Sequence, residues 1–159
     1  MKTALIAYYN AGETPKVAHE LGKLFSSGGF SPKLREIEPA VKMDLKKQFK
    51  KEKSLKLKGA LGRINEFDVI VIGTPVVSFT SVPAVNVFIR ALPKSPKTKV
   101  ILYATGIGLA GMTIKKMQSL LSMKGFKVID SQFFSSIFEF DSRKLLEVGK
   151  FFERFSKSI

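Results

Sequence analysis

"DVIVIGTP", residues 68–75, decides the fold. Residues 69–73 carry no charge and run straight into a Thr-Pro pair, so the stretch reads as a short strand that ends in a turn. A strand with one wet face alternates polar and apolar side chains. This one does not, and the absence of alternation predicts burial on both faces, as in the middle of a parallel sheet covered by helices.

Working outward, "KTALIAYY" (2–9) and "TKVILYAT" (98–105) show the same pattern, while "SPKLREIE" (31–38) and "FKVIDSQFF" (126–134) are weaker strands. Helical spacing fills the intervals. "TPKVAHELGKLFSSGG" (14–29) has Thr14 as its expected N-cap, Pro15 in the first helical position, and Gly28 and Gly29 as its stop. Val17, Leu21, Leu24 and Phe25 form its core face. "PAVNVFIRAL" (83–92), "MTIKKMQSLLSMKG" (112–125) and "DSRKLLEVGKFFERFSKSI" (141–159) are the other helices. Strands alternating with helices imply an α/β fold with a five-stranded parallel sheet between helical layers. With 159 residues, the expectation is a single domain over 1–159.

Composition narrows the chemistry. There is no cysteine, which removes disulfides, thiolate nucleophiles and iron–sulfur ligation, and His19 is the only histidine. No metal site and no protein-based catalytic residue is expected; His19 reads as an exposed helical residue. Any demanding reaction would fall to a bound cofactor. No apolar run reaches the roughly 18–20 residues of a membrane span, and the N-terminal apolar stretch reads as a first strand rather than an export signal. The expectation is an unexported, cytoplasmic protein.

The formal charge is +14, and its densest part is residues 42–58, where Lys42, Lys46, Lys47, Lys50, Lys51, Lys53, Lys56 and Lys58 face only Asp44 and Glu52. Val41, Leu45 and Phe49 at spacing four give this basic amphipathic segment, which extends to about Ile64, a side to bury. Its other side would draw an acidic partner. No aromatic platform interleaves the lysines, so nucleic acid is not indicated.

In sheets of this kind ligands bind beyond the carboxyl ends of the strands. The loops there read "NAGETP" (10–15), "TPVVSFTSVP" (74–83) and "ATGIGLAGM" (104–112). Within the last, "GIGLAG" satisfies G-x-G-x-x-G, and Asp130 follows at dinucleotide-fingerprint distance. A nicotinamide site is disfavoured because only 29 residues follow Asp130, too few for the rest of such a unit.

Along almost its whole length the chain resembles the flavodoxin-like family. "AGETPKVA" is similar to the second half of that family's phosphate loop and the helix after it. "DVIVIGTPV" resembles its third strand, "PAVNVFIRAL" the next helix, and "KGFKVIDSQFF" its fifth strand. The resemblance implies a three-layer sandwich of strand order 2-1-3-4-5 and non-covalently bound FMN. It assigns Asn10, Ala11, Gly12, Glu13 and Thr14 to the phosphate, with the Thr14 hydroxyl as a donor and the Glu13 side chain turned to solvent. Thr74, Pro75, Val76, Val77, Ser78 and Phe79 would shape the isoalloxazine site, with Phe79 able to stack, and Thr105, Gly106, Ile107 and Gly108 would form its far edge. The loop departs from the family pattern in being one residue shorter, with Ala11 where a threonine is usual. The implied function is electron transfer, with an acidic redox protein docking on residues 42–58. The alternatives are an FMN-dependent NAD(P)H:quinone or small-molecule reductase, and a protein-binding module that has lost FMN.

Overall fold

A computed structural model describes residues 1–59, 63–137 and 139–159. Strands β1 (Thr3–Tyr8), β2 (Ser31–Glu36), β3 (Val69–Val77), β5 (Lys99–Gly106) and β6 (Lys127–Ser135) pair in parallel in the order β2-β1-β3-β5-β6. Counting only these five, the order is the expected 2-1-3-4-5. A two-residue strand, β4 (Thr80–Ser81), folds back antiparallel on the end of β3.

The three central strands are apolar because both of their faces are covered. Leu5, Ile70, Ile72, Val100 and Leu102 point to one core, where α3 (Pro83–Ala91) and α4 (Thr113–Met123) supply Phe88, Ile89, Met117 and Leu121. Their neighbours in sequence, among them Ile6, Val69, Val71 and Ile101, point to the opposite core. There α1 (Thr14–Ser27) and α5 (Ser142–Ser156) contribute Val17, Leu21, Phe25, Phe151 and Phe155. This period-two division of an unbroken apolar run is what burial of both faces requires. No described helix is long and apolar enough to cross a membrane.

Two expectations need correction. Helix α1 begins one residue earlier in its capping frame: Glu13 is the N-cap, without a side-chain bond, while Thr14 and Pro15 lie in the first turn. The basic segment also differs. Instead of one long helix its described residues form α2 (Leu45–Lys50), a single turn at Glu52–Ser54, a bridge from Leu57 to Pro39 and the start of a turn at Ile64–Glu66, and its residues 60–62 lie outside the described part of the chain. Asp44 caps α2 by accepting from the Lys47 N–H at 2.8 Å, so the helix starts too late to include Val41, which is exposed. Leu45 and Phe49 are half-buried, and the buried positions of this segment among the described residues are Gln48, Leu55 and Ile64.

Candidate functional site

The carboxyl ends of β1, β3 and β5 put the three Gly- and Thr-rich loops on one edge. Register explains how they are held. Tyr8, Gly73 and Tyr103 are paired across β1, β3 and β5. Gly73 has no side chain, and the Tyr103 ring occupies the room: a Cβ at Gly73 would lie 2.1 Å from Tyr103 Cζ. The ring therefore passes over β3, and its hydroxyl donates to the Thr14 carbonyl at 2.7 Å. Burial pushes the Tyr103 phenol well above its ordinary pKa, with a smaller contribution from Tyr8. It is a neutral donor at any physiological pH.

A second tie lies beside the first. Thr14 Oγ1 and Thr105 Oγ1 share a 2.8 Å hydrogen bond, and both residues are buried. The expected role of the Thr14 hydroxyl as a phosphate donor sits poorly with this geometry, since the hydroxyl is enclosed and engaged by Thr105. What the loop does offer is backbone. Asn10 and Gly12 are exposed, Ala11 and Glu13 half-buried. Gly12 adopts φ +57°, where a side chain would be strained. Among the described residues the N–H groups of Gly12, Glu13 and Lys16 donate no hydrogen bond, whereas Thr14 N–H is tied to Ala11 and Val17 N–H to Glu13. Free N–H groups at a helix start, in line with its dipole, suit an anion.

Glu13 does not turn wholly to solvent. Its Oε2 is enclosed without a partner among the described residues, and the side chain borders a hollow shared with Lys16, Ser136 and Glu139.

The second loop is more strand than loop. Thr74, Pro75, Val76 and Val77 continue β3, and Thr74 and Pro75 are buried. The Thr74 hydroxyl donates to the Pro75 carbonyl and accepts from Val82 N–H, which braces the hairpin internally. Ser78 and Phe79 form the turn, with φ +52° and +62°. Positive φ at both central residues is the signature of the primed turn that closes a two-residue hairpin, normally filled by Asn or Gly. Phe79 holds this strained backbone while 69% exposed. Its carbonyl accepts from Met112 N–H at 2.8 Å, which joins the hairpin tip to the third loop. In that loop Thr105 is buried, Gly106 half-buried, and Ile107 and Gly108 exposed. Leu109 and Met112 are also exposed, and with Phe79 and Ile107 they give this edge an apolar surface.

Asp130, the candidate ribose ligand of the nicotinamide reading, is instead held on β6 by a two-point ion pair with Arg154, at 2.8 and 3.0 Å. Sequence reading missed Tyr103 and the structural use of Gly73. The signal was present in the combination of a glycine inside an otherwise β-branched strand with a tyrosine on the neighbouring one.

No protein-family model and no curated protein sequence matches this chain. Solved structures do. A protein from Bacteroides uniformis ATCC 8492, provisionally described as a flavoprotein, superposes with a TM-score of 0.74 at 20% identity, over 94% of this chain and 98% of that one. Oxidised flavodoxin 2 from Bacillus cereus gives 0.69 at 15% identity over 99% of both chains. A flavoprotein from Lactobacillus acidophilus NCFM, solved in complex with FMN, gives 0.62 at 20% identity, over 84% of this chain and 93% of that one. With the strand order and the two-sided helical cover, these likenesses show that the chain has the flavodoxin fold.

Proposed function

We propose that the protein binds FMN at the edge formed by residues 10–14, the Ser78-Phe79 turn and residues 105–108, and that it transfers electrons. The observation that carries this reading is Phe79. A left-handed backbone costs a non-glycine residue roughly 1–2 kcal/mol, and exposing a phenyl ring forgoes its burial. Both costs fall on one residue at the rim where three loops meet. Strain of that kind is kept where it serves a ligand.

The remaining residues fit the group. The free N–H groups of Gly12, Glu13 and Lys16 suit a phosphate, and the enclosed Glu13 carboxylate limits how strongly that phosphate is held. Phe79 offers its face to a flat ring, and Ile107 and Gly108 flank the opposite side. When bound, the flavin supplies one- and two-electron redox chemistry. The chain's part is to bind, orient and shield: Tyr103 and Thr105 fix the start of α1, and the hairpin brace at Thr74 fixes the height of Phe79.

The exposed lysines of α2 and the turn after it support docking of an acidic redox protein. Fluorescence titration of flavin-free protein with FMN tests the cofactor reading. A dissociation constant near micromolar is expected; one near millimolar, about 4 kcal/mol of binding, would overturn it.

A further inference from the structure

No Asp or Glu stands between Asp68 and Asp130, yet that stretch holds eight Lys and Arg. It contains α3, α4 and the loops that follow them, and the basic segment at 42–58 joins it in space. Glu52, in the turn after α2, accepts from Asn86 Nδ2 of α3 at 3.1 Å and from Arg90 at 2.8 Å. On the other side Lys124, the C-cap of α4, donates to the Arg90 carbonyl at 2.8 Å. Leu45 and Leu55 belong to the same core as Phe88 and Met117. The three helices therefore form one layer on one face of the sheet.

Charge divides along the same line. Residues 42–58, 83–99 and 112–127, which make up this layer and its connections, carry sixteen Lys and Arg against two acids, and the rest of the chain has eleven of each. The whole net charge of +14 thus resides on one side of the molecule. Little of it is neutralised: among the described residues only Lys58 and Arg90 of this group pair with a carboxylate. On the other side of the sheet, α5 spends Arg143 and Arg154 on Asp141 and Asp130.

Apolar side chains stand among these bases. Val41, just before α2, and Met112 and Met123, at the two ends of α4, are exposed, Met123 to 80%. A nucleic-acid backbone would bury none of them, and the layer exposes no aromatic ring on which bases could stack. A bilayer surface answers both features. Anionic headgroups attract the lysines, and the boundary with the acyl chains takes up apolar side chains. The spread of charge over three helices also suits a continuous anionic plane better than the single patch of an acidic protein.

We propose that the α2–α3–α4 layer is a docking surface for bilayers containing anionic phospholipid, on which the protein lies without crossing. Such docking goes beyond FMN binding and does not depend on it. Lys94, Lys97 and Lys115 are exposed and lie outside residues 42–58, so they separate this surface from the segment invoked for an acidic redox protein.

Co-sedimentation of the full chain with vesicles is the direct test. Binding to phosphatidylcholine vesicles holding about 30% phosphatidylserine should be at least tenfold tighter than to phosphatidylcholine alone, and should fall as salt shortens the Debye length. Equal binding would overturn the proposal. Reversing Lys94, Lys97 and Lys115 to glutamate should weaken binding to the anionic vesicles at least tenfold. Reversing Lys23, Lys150 and Lys157, exposed on α1 and at α5, changes the net charge equally and should weaken it less than threefold. Equal losses would show that net charge and not this face governs binding, and would overturn the proposal.

Met123→Gln probes the lipid itself. It removes an exposed apolar side chain without touching charge, so vesicle affinity should fall at least threefold while binding to heparin, a soluble polyanion, stays the same. Unchanged vesicle binding would make the layer a general polyanion face and refute the lipid assignment. Duplex DNA bound more tightly than the anionic vesicles at the same salt would refute it as well. Vesicle binding by a chain that takes up no FMN would leave the proposal standing, whereas FMN binding without vesicle binding would sink it alone.

Discussion

The Tyr103 hydroxyl reaches across the glycine gap in β3 to the Thr14 carbonyl, 2.7 Å away, so the first residue of α1 is anchored to a strand two places along the sheet. Cutting this tie while keeping the ring should cost about 1 kcal/mol of stability, the net worth of one buried hydrogen bond. The pH dependence is more specific. Because the folded phenol titrates above its ordinary value of about 10, its contribution is complete below that pH and is lost as pH rises toward the folded value. Tyr103→Phe should therefore lose stability less steeply than the parent above about pH 10, the slopes differing by up to one proton, ~1.4 kcal/mol per pH unit. Parallel slopes in denaturant titrations from pH 9 to about 11.5 would show that Tyr103 ionises as easily folded as unfolded.

The Thr14–Thr105 pair should behave as a unit. Thr14→Val leaves the Thr105 hydroxyl buried without its partner, at about 1–3 kcal/mol, and the reverse change does the same to Thr14. The double substitution should cost clearly less than the sum of the two, which a double-mutant cycle by chemical denaturation measures. FMN and riboflavin affinities add a second reading. If the phosphate is held by backbone N–H groups, Thr14→Val should shift FMN affinity by no more than a few-fold relative to riboflavin. A selective loss of ten-fold or more for FMN would return the hydroxyl to the phosphate.

Phe79 sets stability against binding. Phe79→Gly relieves a left-handed backbone and removes an exposed ring, so the melting temperature should rise, by an amount equivalent to about 1 kcal/mol. The same change should weaken FMN and riboflavin alike, because stacking sees only the ring. Phe79→Ala should weaken both flavins without the full gain in stability, since alanine keeps the Cβ that strains the turn. A Phe79→Gly protein that binds flavin as well as the parent would remove the turn from the site.

The sheet was legible in the sequence wherever burial on both faces leaves an unbroken apolar run, as at 69–73, and helix ends were legible where Gly28 and Gly29 stop the chain. The site was legible only as loops. The hairpin tip carries Ser78 and Phe79 where Asn and Gly are the usual signal, so the turn that ends β3 left no mark in composition. Thr14 read as a cap and a phosphate donor because its partner lies 91 residues away, and no local pattern encodes such a pairing. Gln48 was hidden for a related reason. Among lysines its polar side chain looks solvated, yet Asp44 starts α2 in a phase that turns Gln48 inward onto Tyr9.

The lysines provide the last test. Lys46, Lys47, Lys50, Lys51 and Lys53 are all exposed, and the nearby acid Glu52 is turned away from them to Asn86 and to Arg90, 2.8 Å from its Oε2. Asp44, at the N-cap of α2, is the acid left to offset their field. If it steers an acidic redox partner, electron transfer to that partner should slow steeply as salt shortens the Debye length to about 10 Å and below. Reversing Lys46, Lys47 and Lys50 to glutamate should slow transfer at low salt by at least tenfold and flatten the salt dependence. FMN affinity, and reduction by a small uncharged reductant, should not change, because Lys46, Lys47 and Lys50 are exposed, whereas the residue of α2 that turns inward to Tyr9 is Gln48. Stopped-flow reduction across a salt series reads the rates, and fluorescence titration reads the FMN affinity. Equal rates for parent and reversed-charge protein at every salt concentration would make the lysines a solvated face with no part in docking.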